Sequence, residues 1–454
     1  MKNAKKLLCL TLASLILFLS ACTSEKIPLK NGSEDSSIVS EQENGSEDSS
    51  VVSEQENSSE ASTQIGSLNS QNLMSNVKAE NITAFDDLSQ GNKAYNQFSA
   101  ALLKQCLSED ENVLISPLSA IYALGLTANG ADGETLKQME DVFGIDMDNL
   151  NNYLYSYMKN KAEEDAAKLS LANSIWFDNR FVPNSEFLQK NANYYNAAAY
   201  KSNFSAAETV DDINRWISEK TKGMINEVIK EISPETVMFL INALAFEDQW
   251  ESPYKDKGSV RDGEFTTSRG DKVTVEFMYS EGEKYIYDDN AEGFIKKYKG
   301  NYAFAALMPK EGMSIEEYVS TLTGEKLSLI LNRKENYSFE LYTALPKFET
   351  EFSVEMKDIF KNLGMTDAFT PYVADFSKIG DGEGLHIGNI LQKTFISVGE
   401  LGTKAGAATI VAIEEESCPM ETKTVYLNRP FVYMLIDTTT NTPFFIGTMM
   451  NPTK

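Results

Sequence analysis

From residue 84 onward the apolar positions of the chain fall into two periods. In Ala94-Tyr-Asn-Gln-Phe-Ser-Ala-Ala-Leu-Leu, the spacing of Phe98, Leu102 and Cys106 is helical. Val113-Leu-Ile-Ser-Pro-Leu-Ser then leads into the helix-like Ala120-Ile-Tyr-Ala-Leu-Gly-Leu, and residues 211–223 predict a helix stopped by Gly223. Strand-like runs follow at 237–246, 273–278, 302–308, 338–345, 394–398, 431–436 and 444–449. Helices concentrated early and strands dominating later predict an α+β fold with a large mixed sheet, not a succession of βαβ units.

The first 84 residues follow other rules. Lys2, Lys5 and Lys6 precede an apolar run over residues 7–19, the layout of a secretory signal peptide. Its 13 residues are few for a bilayer span, which needs about 20. The run closes on Leu19-Ser20-Ala21-Cys22, and small residues before a cysteine match the bacterial lipobox. This predicts cleavage after residue 21, a lipid on Cys22, and a domain tethered to the outer side of the bacterial cell membrane. Next, Asn31-Gly-Ser-Glu-Asp-Ser-Ser-Ile-Val-Ser-Glu-Gln-Glu returns from Asn44 with Val in place of Ile. Residues 23–60 hold ten acids, two lysines and no aromatic residue, so burial cannot offset chain entropy there. The expected organisation is a signal peptide at 1–21, a disordered acidic tether at 22–84, and a folded domain at 85–454.

Charge and composition narrow the chemistry. The 454 residues carry a formal charge of −26, which excludes a nucleic-acid partner on electrostatic grounds. One histidine, His386, sits in Leu-His-Ile-Gly at an expected strand start, and any His-based nucleophile or metal site would depend on it alone. Cys106 and Cys418 are too far apart in sequence to suggest a disulfide framework or zinc site, and Cys106 reads as a free core thiol. No Gly-rich phosphate loop or paired metal ligands occur. No cofactor, metal or enzymatic activity is expected.

A set of motifs goes further. Asn112-Val-Leu-Ile-Ser-Pro-Leu-Ser, Asn129-Gly-Ala-Asp-Gly-Glu-Thr, Asn214-Arg-Trp-Ile-Ser-Glu-Lys-Thr-Lys-Gly-Met-Ile and Asn242-Ala-Leu-Ala-Phe-Glu-Asp-Gln-Trp occur in that order. Leu345-Pro-Lys-Phe, Leu363-Gly-Met-Thr-Asp-Ala-Phe, Ala374-Asp-Phe-Ser, Asn428-Arg-Pro-Phe and Phe445-Ile-Gly-Thr-Met-Met-Asn-Pro continue it. In sequence and order this set resembles the serpin family over residues 88–454. The resemblance implies about eight or nine helices around three β-sheets, with an exposed reactive loop near the C-terminus. It implies a monomeric inhibitor whose partner is an extracellular serine protease.

The loop's own pattern can be read without the family. In a strand, alternate side chains face opposite sides. From Thr403, one face reads Thr403, Ala405, Ala407, Thr409, Val411, Ile413, small then apolar and uncharged. The other reads Lys404, Gly406, Ala408, Ile410, Ala412, Glu414, where the charges lie. Taken alone, this is an existing strand, a mobile Ala/Gly loop, or a strand written for insertion. Gly399-Glu-Leu-Gly-Thr-Lys-Ala-Gly-Ala-Ala-Thr resembles the serpin hinge, and the resemblance implies insertion, with Glu400, Gly402, Thr403, Ala405, Ala407, Ala408 and Thr409 as hinge residues. The family spacing from Glu400 puts the bait bond at Glu416–Ser417, with Ile413, Ser417 or Met420 as alternative specificity residues in a slightly long loop. The resemblance also implies a sheet-opening region around Ser116, Ser119, Asn242, Trp250 and Gln392. Gln392 stands where many members carry histidine, and Lys404 where they carry glutamate. Two further classes stay in view: a non-inhibitory serpin acting as a surface binding protein, and an enzyme, which one histidine disfavours.

Overall fold

The computed structural model describes residues 68–453 except 234–235, 335–336, 383, 389 and 404–420. Cys22, Ala405, Ala407, Ala408, Thr409, Glu416, Ser417 and Cys418, with the signal peptide and tandem repeat, lie outside the described residues. Those described all belong to one of the chain's two units, Thr63–Lys454.

Three sheets organise this unit, as the family resemblance implied. The first has eight strands: β1 (Gln71–Asn72), β3 (Leu169–Asp178), β4 (Ala198–Ser202), β5 (Met238–Phe246), β6 (Asp248–Gln249), β13 (Phe348–Glu355), β14 (Ile390–Gly399) and β15 (Gly402–Thr403). Its order is β1-β4-β3-β5-β14-β15-β6, with β13 on the other edge of β14. The second runs β2 (Val113–Ile115), β18 (Thr442–Met449), β17 (Phe431–Asp437), β11 (Tyr302–Pro309), β10 (Ala291–Lys297) and β9 (Lys284–Tyr287). The third runs β16 (Glu421–Tyr426), β12 (Phe339–Pro346), β8 (Lys272–Glu281) and β7 (Val260–Thr266). The first sheet mixes parallel and antiparallel pairs, as expected for α+β: β5 pairs β14 parallel, while β3 pairs β5 antiparallel.

Ten α-helices occur among the described residues, two of them (Glu163–Lys168 and Lys357–Asn362) only six residues long. The Pro117–Ala128 helix is buried on every side, because its sequence is apolar all round. It starts where Ser116 accepts a hydrogen bond from the Ser119 amide and Pro117 needs no donor partner. The Ala207–Lys220 helix lays Ile213, Trp216 and Ile217 against Trp176 and Tyr200 of the first sheet. It ends as its sequence suggests: Gly223, at φ 76°, closes the turn by donating to the Ser218 carbonyl.

Two expectations need correction. The ordered body begins by residue 68, not 85: β1 pairs with β4, and both the amide and the hydroxyl of Ser70 donate to Asp212, at 2.8 and 2.6 Å. Leu73, Met74 and Val77 pack against the core, while the Glu80 amide donates to the Asn193 side chain at 2.9 Å. A segment held in this way carries little local signal. His386, in turn, starts no strand; β14 begins at Ile390, and the ring Nδ1 lies 2.8 Å from the Gly384 carbonyl. Three alternating residues are too short a window to fix a strand end.

Candidate functional site

The expected hinge and sheet-opening residues that the structure describes lie around a seam between β5 and β14, and its chemistry changes along its length. At one end the chain leaves β14 at Gly399, turns, and returns as β15, pairing Gly402 with Gly399 and Thr403 with Val398. On its far side β15 pairs with β6, Gly402 against Gln249 and Thr403 against Asp248. Gly402 is required here: its φ is 152°, and a Cβ would lie 2.2 Å from the Asp248 carbonyl oxygen.

Trp250 closes this end from within the core. It is fully buried, its indole Nε1 donates to the Gly399 carbonyl at 2.8 Å, and its amide donates to Leu401 at 2.9 Å. The Tyr298 ring stacks on it at 4.3 Å between centroids, and the Tyr298 and Thr403 hydroxyls lie 2.5 Å apart. Burial pushes the Tyr298 hydroxyl well above its ordinary pKa, so it stays neutral while bonded to Thr403. Thr403 itself is buried. Glu400 lies at the rim, where Lys347 bridges it at 3.0 Å and Glu276 at 2.8 Å. Partial burial opposes the Lys347 charge, but the bonds to Glu276 and Glu400 outweigh it and raise the pKa. Asp248 is fixed behind β6 by Lys168 at 3.3 Å and by the Gly300 amide at 3.2 Å.

Beyond Thr403 the described residues show no continuous ladder across the seam. β5 and β14 pair directly only at their other end, Leu240 with Ile390 and Ile241 with Leu391. Residues 392–397 of β14 pair with β13 on one edge, and among the described residues no ladder joins them to β5 on the other.

Just above that short ladder lies the second cluster. Gln392, buried at 4% exposure, accepts from the Ser116 amide at 2.8 Å and donates to the Ser116 carbonyl at 2.9 Å. The Ser116 hydroxyl donates to the Phe444 carbonyl, and Thr394 donates to Leu114 at 2.7 Å. The side chain of Asn242 reaches across β5 to Asn173 of β3 instead, leaving its own carbonyl oxygen buried and unpaired. The structure therefore brings Ser116, Ser119 and Gln392 together, and sets Asn242 in a separate pair. Trp250, Glu400, Gly402 and Thr403 form the other group.

Sequence reasoning missed Tyr298, Asp248 and the role of Lys347. Lys347 lies in the Leu345-Pro-Lys-Phe motif, which was a signal; Tyr298 faces a partner 105 residues away, and nothing local marks it.

A family described as Serpin (serine protease inhibitor) matches residues 93–452. The chain belongs to the serpin family. A serpin-like protein of Thermococcus kodakarensis is 32% identical over 387 residues, 82% of this chain and 89% of its own length. Neuroserpin of Gallus gallus is 30% identical over 380 residues, 79% of this chain and 89% of its own length. The thermophilic serpin tengpin in its native state superposes with a TM-score of 0.79 at 47% identity, covering 84% of this chain and 99% of tengpin. Its latent state gives 0.70 at 46% identity, covering 82% and 99%. At nearly equal identity the difference is one of shape, and this serpin is more similar to the native form. Serpins are in general inhibitors of serine proteases rather than enzymes. Thyroxine-binding globulin in complex with thyroxine, 22% identical with a TM-score of 0.69, shares the fold alone.

Proposed function

We infer that this serpin inhibits serine-type endopeptidases as a suicide substrate, trapping them by strand insertion. The observation that carries the reading is the short β5–β14 ladder with Thr403 at the other end of the seam: a buried, uncharged residue already paired with β14 and β6, above a stretch of β14 that, among the described residues, has no ladder to β5. A protease serine hydroxyl attacks the carbonyl carbon of the bait residue, taken as Glu416. The amine of Ser417 leaves with a proton, and an ester joins the protease to the new C-terminus. The freed segment then continues the β15 register down the seam, adding backbone hydrogen bonds on both edges. Insertion of some 14 residues at about 3.3 Å each carries the ester some 45 Å. Such a pull distorts a catalytic site that tolerates errors of only about 1 Å, so the ester is not hydrolysed. Glu416 suits a protease that accepts acidic side chains. The uncharged inward set Thr403, Ala405, Ala407 and Thr409 favours inhibition over a purely binding role.

Incubation with a panel of glutamyl, elastase-like and trypsin-like endopeptidases tests this. The expected outcome is an SDS-resistant complex and a released peptide beginning at Ser417 by mass spectrometry. Complete cleavage across the panel without any complex sinks it. The proposed location is the outer face of the cell membrane, through lipid on Cys22; the full-length precursor should label with palmitate in bacteria, and Cys22→Ser should not.

A further inference from the structure

Where β16 gives way to β17, the chain passes along a cleft of about 610 Å³. Pro309, Met313, Ile315, Pro430 and Met450 give the cleft an apolar wall. Backbone hydrogen bonds fix its outline, from the Thr266 amide to the Asn428 carbonyl at 2.9 Å and from the Ser268 amide to the Met450 carbonyl at 3.3 Å. Asn112 holds the same corner by accepting from the Met450 amide at 2.8 Å. A preformed cleft that sets an apolar wall beside a charged group is a common design of small-molecule sites.

The charged group is Arg429, half-buried and without an anion of its own. Its guanidinium donates to the Pro309 carbonyl at 2.6 Å and to the Met308 sulfur, a weak acceptor, and among the described residues no carboxylate pairs with it. Burial holds its pKa below the ordinary arginine value, and the more distant Glu311 and Glu292 offset that only in part. Glu292 is itself bonded to Lys423 at 2.8 Å, and Asp110, on the cleft wall, to Arg269 at 2.9 Å. A guanidinium takes a carboxylate through two parallel hydrogen bonds, and here the chain supplies none. Glu109 and Glu316 also line the cleft, so a polyanion such as phosphate would meet their charges, whereas a single carboxylate suits a single cation. The apolar wall beside Arg429 suits a hydrocarbon tail on that carboxylate.

We propose that this cleft binds one amphipathic monocarboxylate, its head on Arg429 and its hydrocarbon tail along Met313, Ile315 and Pro430. The site stands whether or not the protein traps proteases. Decanoate, decanol and acetate, each below any concentration at which it aggregates, are titrated into the full chain by calorimetry. Decanoate should saturate one site and raise the unfolding temperature of the domain. Decanol, which brings no charge to Arg429, should bind at least about tenfold more weakly, and acetate should give no saturable heat. Arg429→Met removes the cation and keeps an unbranched stem, so decanoate should weaken by about tenfold or more and decanol should bind as before. Met313→Asp sets a like charge beside the tail and should also weaken decanoate, which keeps the test decisive if Arg429→Met fails to fold. Unchanged decanoate affinity in folded Arg429→Met, or in Met313→Asp where the first variant does not fold, overturns the proposal. Decanoate heat in the parent that never saturates, or that saturates at several equivalents per chain, overturns it too.

Discussion

The two ends of the seam are closed by different chemistry. At the head, hinge residues are themselves part of the closure: Thr403 on Tyr298, the Gly399 carbonyl on Trp250, Glu400 on Lys347. In the lower half the closure involves no hinge residue, and an amide side chain, Gln392, is clamped to both backbone groups of Ser116. On the proposed mechanism the head governs how the hinge goes in, whereas the lower cluster governs whether β14 is held against the core before anything goes in. Substitutions at the two places should separate along that line: trapping against cleavage at the head, resting stability below.

The largest expected effect is at Thr403. Its side chain is buried between Tyr298 and the β6 backbone, and an arginine there must either bury an unpaired guanidinium or keep the hinge out of the sheet. Burying an unpaired charge costs several kcal/mol, enough to stall insertion while hydrolysis proceeds. Thr403→Arg should convert inhibitor to substrate. Titration against the trapped protease should show the serpin consumed per protease inhibited rising at least about tenfold, the ratio that 1.4 kcal/mol sets between competing steps. An unchanged ratio would mean that insertion is not guided from the head.

Next comes Gln392. Gln392→Ala strands the buried N–H and C=O of Ser116, at about 1–3 kcal/mol for each unpaired group. The expected result is a resting form less stable by about 3 kcal/mol, seen as a lower denaturant midpoint, with the initial rate of protease capture changed far less. Gln392→His sharpens the same point through pH. The Ser116 amide needs an acceptor, so an imidazole there must be neutral to serve, and burial further disfavours its charge. Its folded pKa would fall below the ordinary value of about 6.5. The added stability would be present above that value and lost as pH falls through the folded pKa. Stability of Gln392→His should drop between about pH 6.5 and 5 relative to a parent whose clamp has no proton to gain, and parallel curves would refute this.

What could be read from the sequence divides along similar lines. The 237–246 and 431–436 strands and the stop at Gly223 rest on short-range patterns, and they lie where those patterns put them. The contact of Gln392 with Ser116, 276 residues apart, was legible only through the motifs that resemble a family, since no local rule brings those residues together. Where neither source spoke, the reading failed. Ser70 finds Asp212 across 142 residues in a segment whose polar composition reads as tether, and Tyr298 finds Thr403 from an unremarkable Lys-Tyr-Lys-Gly turn. The ten α-helices of the described residues agree with the eight or nine that the resemblance implies, whereas local periodicity alone is blind to the two six-residue ones, which are too brief to show a period.

The smallest expected effect distinguishes the two halves of the head itself. Lys347 and Glu400 have side chains 28% and 41% exposed, so solvent screens their attraction, unlike the buried Thr403–Tyr298 contact. Lys347→Met should therefore cost only about 1 kcal/mol or less, with the ratio of trapping to cleavage nearly unchanged. Its pH signature has a definite sign. The folded pKa of Lys347 is raised, so the stabilisation is fully present below the ordinary lysine value and disappears as pH rises through the higher folded value. Parent and Lys347→Met should differ slightly but constantly in stability from pH 6 to about 9 and converge only in stronger alkali, above about 10.4. A large loss of trapping in Lys347→Met at neutral pH would move control of insertion from the buried hydroxyl pair to the rim, and the division drawn between the halves of the head would fail.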